Sequence, residues 1–216
     1  MAPELGVEPK LAAIPVSFLK GLAFGFLLAG TVGPMWILCF RRTLAHGRVF
    51  GFVSGMGVAT ADALYGFVAA FGLTTVSNFL LAQKFALGLV GGIFLCWLGV
   101  KTLFSRPGDR PADAPAGSLA AAYTSTLALT LTNPATILAF VAIFAGLGLA
   151  SSGSYAEASL VVLGVVLGSA SWWVLLALGA GWLRTRSGPR LLRSINILAG
   201  ISILAFGVVQ LVSLAV

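Results

Sequence analysis

Charged side chains are scarce in this sequence of 216 residues. Only 9% of the residues are Asp, Glu, Lys or Arg, whereas 59% are hydrophobic. The surface of a water-soluble protein needs many more polar side chains than this composition supplies. A soluble domain is therefore excluded, and the composition indicates an integral membrane protein.

Side chains that hold metals or perform catalysis are also few. The sequence contains one histidine and two cysteines, Cys39 and Cys96, which both lie in apolar runs. It has no glycine-rich phosphate loop, no Cys/His metal spacing and no nucleophile motif. We therefore expect neither an enzyme nor an ATP-driven pump, and no cofactor or metal. Nucleic acid is excluded as a partner because there is no folded polar domain.

Long apolar runs fill most of the chain. A helix needs roughly 20 residues to cross a hydrocarbon core about 30 Å thick, and each run reaches that length. The runs lack the alternation of apolar and polar residues that strands of a membrane barrel require. The sequence thus predicts an all-α integral membrane protein with six transmembrane helices. The predicted spans are 17–40, 49–73, 85–104, 119–149, 160–183 and 191–216.

Basic residues cluster in three of the loops between these spans. Of the 13 Lys and Arg residues, only Lys10, Lys20 and Lys84 lie elsewhere. By the positive-inside rule the three basic loops are cytoplasmic, which places both termini outside. The clusters are Arg41, Arg42 and Arg48; Lys101, Arg106 and Arg110; and Arg184, Arg186, Arg190 and Arg193.

The chain divides into two halves that resemble each other. A polar linker rich in Pro, Gly and Ala, residues 105–118, separates a first three-helix unit (1–104) from a second (119–216). TVGPMWILCF matches LTNPATILAF one hundred positions later, and VGGIFLCWLGVKTL matches LAGISILAFGVVQL. An odd number of spans per half requires that the second half be inserted upside down. The predicted architecture is an inverted three-plus-three repeat, which is found in secondary transporters.

The matched prolines predict that the first and fourth helices are broken inside the membrane. A proline in a span removes a backbone hydrogen bond and clashes with the preceding turn. Gly33 and Asn133 suit helix N-caps, with Pro34 and Pro134 as the first residues of new half-helices.

Each half-helix would present free N–H groups with a partial positive charge. We expect these groups near Met35 to Ile37 and near Ala135 to Ile137. If the two breaks face each other near the midplane, they could hold an anion such as a carboxylate. The alternative is a pair of tolerated kinks, patched by the Thr31 and Thr132 hydroxyls, that binds nothing.

Asp62 is an acid near the middle of the second predicted span. Such a position costs roughly 2.5–3.5 kcal/mol on insertion scales, so we interpret it as functional. It would bind a substrate amine or carry the coupling proton. The alternative is a structural, protonated Asp62 bonded to Thr60 or to a carbonyl of a broken helix. In a weak alignment of the second and fifth spans, the repeat position of Asp62 is Ser169, so the acid breaks the symmetry of the two halves.

Two further side chains are candidates for lining a substrate path. Asn196 is polar within the sixth span, although an interhelical hydrogen bond would explain it equally well. Trp172 and Trp173 lie deep in the fifth span, where one would pack in the core and one would line the path. We select Trp172, which aligns weakly with Tyr65.

The motifs described above resemble those of a known family. GTVGPMWILCFRRTLAHGRVFGFVSGMGVATADALYGFVAAFGL resembles the first two spans of the lysine/threonine exporter (LysE/RhtB-type) amino-acid transporters. LTLTNPATILAF resembles their second Asn-Pro signature, although the first break lacks the first proline common in the family. The resemblance implies gradient-driven export of amino acids or related metabolites across the bacterial cytoplasmic (inner) membrane. Carried over by motif, the site residues are Gly33, Pro34, Asp62, Asn133 and Pro134.

Two rival functions remain open at this stage. One is an ion or small-solute channel. The other is a transmembrane thiol-disulfide carrier, which would need a cysteine at each break, whereas Cys39 aligns with Ala139 and Cys96 with Leu204. The expected partners are an amino acid or derivative as substrate, the lipid bilayer, a coupling ion (proton or sodium) and a second copy in a homodimer.

Overall fold

A computed structural model describes residues 8–70, 79, 82–104, 118–133, 136–140, 155–186 and 188–214. Within these ranges all regular secondary structure is helical, as the apolar runs predict. Residues 136–140 form a short helical segment. The longer helices are α1 (Glu8–Gly30), α2 (Pro34–His46), α3 (Arg48–Ala70), α4 (Lys84–Phe104), α5 (Leu119–Leu131), α6 (Tyr155–Arg186) and α7 (Pro189–Val212).

Several of these helices have the length and apolar character needed to cross a membrane. α3, α4, α6 and α7 each do so alone, and α1 with α2 forms a fifth, bent candidate. α5 is apolar but has only 13 residues. The rest of the predicted fourth span, residues 141–149, lies outside the described residues, as does nearly all of the linker 105–118. The chain is therefore a helical membrane protein with four or five candidate spans among the described residues.

The predicted helix break in the first apolar run is confirmed, but the predicted loop position of Arg41 and Arg42 is wrong. α1 stops at Gly30, and α2 starts at Pro34 and turns by 72°. α2 then runs beyond Phe40 to His46, because the restarted helix meets no further breaker before Gly47. Arg41 and Arg42 consequently lie on a buried helix, only 2% and 1% exposed, and not in the predicted loop.

α1 and α6 pack side by side and run in the same direction. A methyl group added to Gly21 or Gly25 would collide with the backbone of Val161 or Val165, respectively. Gly164 of α6 meets the backbone of α1 equally closely. Small residues at such positions allow two membrane helices to approach backbone to backbone. α1 is thus packed against α6, a helix that is distant from it in the sequence.

α3 and α5 form a second parallel pair, joined by hydrogen bonds. The Thr126 hydroxyl donates to the Ser54 carbonyl at 2.6 Å, and the Tyr65 hydroxyl donates to the Leu131 carbonyl at 2.7 Å. Between these bonds, Gly57 leaves no room for a methyl group beside the α5 backbone. The Tyr65 bond satisfies a carbonyl in the last turn of α5, at the second break.

α4 and α7 pack in opposite directions through matched glycines. A methyl group on Gly207 would lie 3.0 Å from the carbonyl oxygen of Gly92, and one on Gly200 would lie 3.1 Å from that of Gly99. The sequence repeat aligns Gly92 with Gly200 and Gly99 with Gly207. The two contacts, Gly92 with Gly207 and Gly99 with Gly200, are therefore equivalent under the repeat.

Most of the described basic residues lie toward one end of the molecule, whereas Lys20 of α1 and Lys84 at the start of α4 lie toward the other. Arg48 begins α3 and packs against Gly181 near the end of α6. α4 ends with Lys101 in its last turn, where Leu103 packs against Gly200 of α7. The exposed Arg190 and Arg193 lie in the first turns of α7. Arg106 and Arg110 lie outside the described residues.

Candidate functional site

The first break is a three-residue turn between two helices that differ in direction by 72°. Gly33 has an extended backbone (φ −142°, ψ −174°) and is the N-cap of α2. Pro34 follows as the first helical residue. An N–H group at this position has no acceptor within the helix, so a proline costs no hydrogen bond there. The Thr31 hydroxyl and amide both bond to the Leu28 carbonyl, at 2.7 and 3.1 Å. This turn therefore does not depend on the proline alone.

The second break has a related arrangement. α5 ends at Leu131, and the Thr132 hydroxyl bonds back to the carbonyls of Ala128 and Leu129. The amides of Thr136 and Ile137 donate to the Asn133 carbonyl, at 3.1 and 3.3 Å. Asn133 therefore stands at the start of the following helical segment, as its predicted N-cap role requires. Pro134 itself lies outside the described residues.

The prediction of free amides as far as Ile37 and Ile137 is wrong. The Ile37 amide donates to the Gly33 carbonyl at 3.0 Å, and that of Ile137 donates to Asn133. At the second break the Thr136 amide also donates to Asn133, so only the amides that precede these bonded ones lack a partner in their own helix. At the first break these are the amides of Met35 and Trp36.

Asp62 is buried in α3 and bonds across to α6. The Ser169 hydroxyl donates to Asp62 Oδ2 at 2.7 Å, and the Trp173 indole Nε1 donates to Ser169 Oγ at 3.2 Å. Because an indole N–H can only donate, Ser169 accepts from Trp173 and directs its own proton to the carboxyl group. Thr60, the alternative partner, instead bonds to Met56 and Tyr123.

Both breaks and Asp62 line one small cavity. Its volume is about 80 Å³. The polar part of its wall contains Asp62 from α3, residues of both breaks and two threonines that flank the second break. The lining residues are Leu28, Ala29, Thr31, Gly33, Pro34, Met35, Trp36, Val58, Asp62, Thr130, Asn133, Thr136 and Trp173. The structure thus brings together Thr31, Gly33, Pro34, Met35, Asp62 and Asn133 from the predicted site.

Three other predicted residues lie outside this cavity. Trp172 packs edge-on against Phe26 at 5.1 Å and covers Gly30, the last residue of α1. Thr132 faces a different cavity between α4 and α5. Asn196 is half-buried on α7 and is not among the lining residues.

Sequence reasoning missed three members of this site. Trp173, which is only 1% exposed, lines the cavity in place of the predicted Trp172. Ser169 bonds to Asp62, whereas the sequence indicates only that the two residues occupy equivalent repeat positions. Trp36 also lines the cavity, and its buried Nε1 has no hydrogen-bond acceptor among the described residues. Trp36 therefore offers a second kind of donor beside the α2 amides.

Arg42 joins three helices through a buried guanidinium. From α2, its Nη1 donates to Ser54 Oγ on α3 at 3.2 Å and to the Ala122 carbonyl on α5 at 2.9 Å. Its Nη2 donates to Ser125 Oγ at 2.9 Å. A guanidinium can make several such bonds at once because its donors form a planar fork. Arg42 therefore fixes α2 against α3 and α5 on the basic side of the cavity.

Replacing Arg42 by alanine is expected to lower stability strongly. The change empties a buried side-chain volume and removes bonds to a charged donor, each worth about 1.5–3 kcal/mol. The melting temperature of the purified protein in detergent measures the loss. Arg193→Ala, at an exposed position, is the matched control and should melt like the parent. Equal melting of the two variants would contradict the structural role of Arg42.

Comparison with known proteins gives a consistent set of relatives. A family profile described as LysE type translocator matches residues 26–214. The Bacillus subtilis (strain 168) protein YcgF, named for amino acid efflux, is 29% identical over 196 residues, which cover 88% of this chain and 92% of its own. A leucine efflux protein of Klebsiella pneumoniae is 31% identical over 131 residues, 60% of each chain. No solved structure matches the chain.

Proposed function

Because the chain belongs to the LysE type translocator family, we propose that it exports amino acids or related small metabolites from the cytoplasm as a secondary transporter. Members of this family are membrane translocators and not enzymes. Two relatives are named for the efflux of amino acids or of leucine, which supports an amino-acid substrate.

The observation that carries this proposal is the cavity shared by Asp62 and the start of α2. An amino acid has a carboxylate and an ammonium group, and the cavity wall has features suited to each. The amides of Met35 and Trp36 carry the partial positive charge of a helix N-terminus and suit the carboxylate. Asp62 on the neighbouring helix suits the ammonium group or the coupling proton.

The cavity must widen before it can hold such a substrate. Its volume of about 80 Å³ is well below the roughly 300–1,000 Å³ typical of ligand pockets. We therefore assign this conformation to a closed state between inward-open and outward-open forms. The bent junction of α1 and α2 is a suitable hinge, and Arg42 is part of the closure on the basic side.

Helix packing supports the proposed inverted repeat. A two-fold axis between the halves would exchange the parallel pair α1/α6 with the parallel pair α3/α5. The same axis would map the antiparallel pair α4/α7 onto itself, as the reciprocal contacts of their glycines suggest. Tyr65 of α3 contacts the end of α5, and its repeat equivalent, Trp172 of α6, contacts the end of α1. The ends of α5 and α1 are equivalent positions in the two halves.

The membrane orientation follows from the basic end of the molecule. Since most of the described basic residues lie there, we place that end at the cytoplasmic face of the bacterial inner membrane. Export then moves substrate from the Arg48 side toward the opposite side. A proton or sodium gradient is the proposed driving force, with Asp62 as the coupling residue.

Neither rival function gains support from the structure. Cys39 is buried in α2, while the Cys96 sulfur on α4 packs against Gly207 of α7. Neither cysteine lines the cavity, which argues against a thiol-disulfide carrier. A channel has no need of a buried acid beside a helix N-terminus in so small a cavity.

An export assay tests the proposed function. Cells that express the protein are loaded with dipeptides, which intracellular peptidases hydrolyse, and the amino acids released to the medium are quantified over time. We expect faster release of at least one amino acid than from cells that carry an empty vector. Collapse of the proton or sodium gradient should remove the difference. Identical release in both strains for every amino acid would reject amino-acid export.

A further inference from the structure

A third cavity, of about 280 Å³, lies at the basic end of the molecule. It forms where the turn between α2 and α3 meets the last turns of α6. The residues around it are Gly47, Arg48, Gly181, Arg184 and Thr185. Its volume is many times the roughly 10–15 Å³ that one water requires, so the cavity has room for a larger group.

Two arginines face this cavity without an acidic partner. Arg48 and Arg184 are both exposed, and within the part of the chain that the structure describes neither has a hydrogen bond or an ion pair. Guanidinium groups favour oxyanions because several N–H donors match their geometry. Two such groups beside one cavity would bind an anion better than either arginine alone.

Two glycines, one in the α2–α3 turn and one in α6, shape the cavity. Gly47 adopts φ +96°, a conformation that favours glycine, and its amide bonds to the Thr43 carbonyl at 2.8 Å. Gly181 leaves space for the Arg48 side chain, because a methyl group there would collide with Arg48 Cγ. These contacts hold Arg48 beside the end of α6.

Neighbouring residues indicate the depth of this cavity in the bilayer. Trp182 is half-exposed, and the Arg186 guanidinium lies 4.3 Å from its ring centre. Exposed tryptophans and arginines at helix ends are typical of the headgroup region of a membrane. The cavity therefore lies where lipid phosphates are abundant.

We propose that this cavity binds the phosphate group of an anionic lipid headgroup between Arg48 and Arg184. A free phosphate ion offers the same chemistry and is the other source of such a group. The site is separate from the Asp62 cavity and requires no particular transport substrate. Anionic lipid bound there would hold the α2–α3 turn against the end of α6.

Native mass spectrometry and thermal melting of the full-length protein in detergent test this site. The probes are phosphatidylglycerol, phosphatidylcholine and inorganic phosphate, each added alone. We expect phosphatidylglycerol to bind and to raise the melting temperature. Phosphatidylcholine has the same phosphate group, but its choline cation should be repelled by the two arginines, so we expect much weaker binding and little change in melting temperature. Arg48→Gln and Arg184→Gln should each weaken phosphatidylglycerol binding roughly fivefold. Protection by inorganic phosphate to the same extent would retain the site and assign it to the free anion.

Two glycine variants separate this site from general surface charge. Gly181→Ala should displace the Arg48 side chain and weaken lipid binding without a change of charge. Gly179→Ala in the same helix is the control, because no described residue lies within 4 Å of its added methyl group. Arg193→Gln removes an exposed charge elsewhere at the basic end. If Arg193→Gln reduces binding as much as Arg48→Gln, or if Gly181→Ala has no effect, the proposal is overturned.

Discussion

Asp62→Asn is expected to reduce export to the level of cells that lack the protein, while the variant still folds and reaches the membrane. The asparagine oxygen can still accept the Ser169 proton that Asp62 Oδ2 accepts at 2.7 Å. The Asp62, Ser169 and Trp173 packing therefore survives, whereas the titratable charge is lost. Export rate and membrane abundance, measured in the same cells, separate loss of function from loss of protein.

Asp62→Glu distinguishes a functional acid from a structural one. A glutamate keeps the charge but moves it by about one methylene, so we expect partial export; misplacement by about 1 Å can cost roughly 100-fold in rate. The expected order of export is parent, then Glu, then Asn. A structural acid predicts the reverse, because the bulkier Glu would disturb the tightly packed site and Asn would not. A fully active Asp62→Asn variant would remove this residue from the mechanism.

Gly33→Leu is expected to block export by filling the cavity. Gly33 lines the cavity and has an extended backbone that any residue can adopt. Among the described residues, a methyl group there would meet only the Thr31 carbonyl oxygen, at 4.0 Å. A leucine side chain should therefore fit without backbone strain, and it would occupy space that substrate requires.

Gly33→Ala is the matched control for this experiment. It adds the same first carbon but leaves most of the cavity open, so we expect export to fall only a few-fold. Melting temperature in detergent checks that both variants fold. If Gly33→Leu exports at the parent rate, substrate does not pass beside the α2 N-terminus, and the proposed position of the site is wrong.

Local chemistry in the sequence was sufficient to predict the breaks and the buried acid. Pro34 after Gly33 indicates a helix start wherever it occurs, because proline suits the first helical position. Asp62 stands out because an acid at mid-membrane depth is costly in any packing arrangement. Neither inference needs knowledge of which helices are neighbours.

Features that depend on helix rotation and neighbours could not be predicted. Trp172 and Trp173 are adjacent and identical in chemistry, so only the rotation of α6 about its axis decides which one reaches the cavity. Arg42 follows an apolar run as a loop arginine would, and positive-inside reasoning cannot recognise oxygen acceptors on α3 and α5. Its burial follows from contacts with residues up to 83 positions away in the sequence.

The backbone contact between α1 and α6 has a consequence for the order of membrane insertion. Gly21 and Val161 touch, yet about 140 residues separate them in the chain. As the ribosome synthesises the protein from its N-terminus, α1 enters the bilayer long before α6 exists. Its glycine face must meanwhile be covered by lipid or by insertion factors. A nascent chain that stops before Tyr155 would leave that face uncovered, and quality-control proteases should remove it.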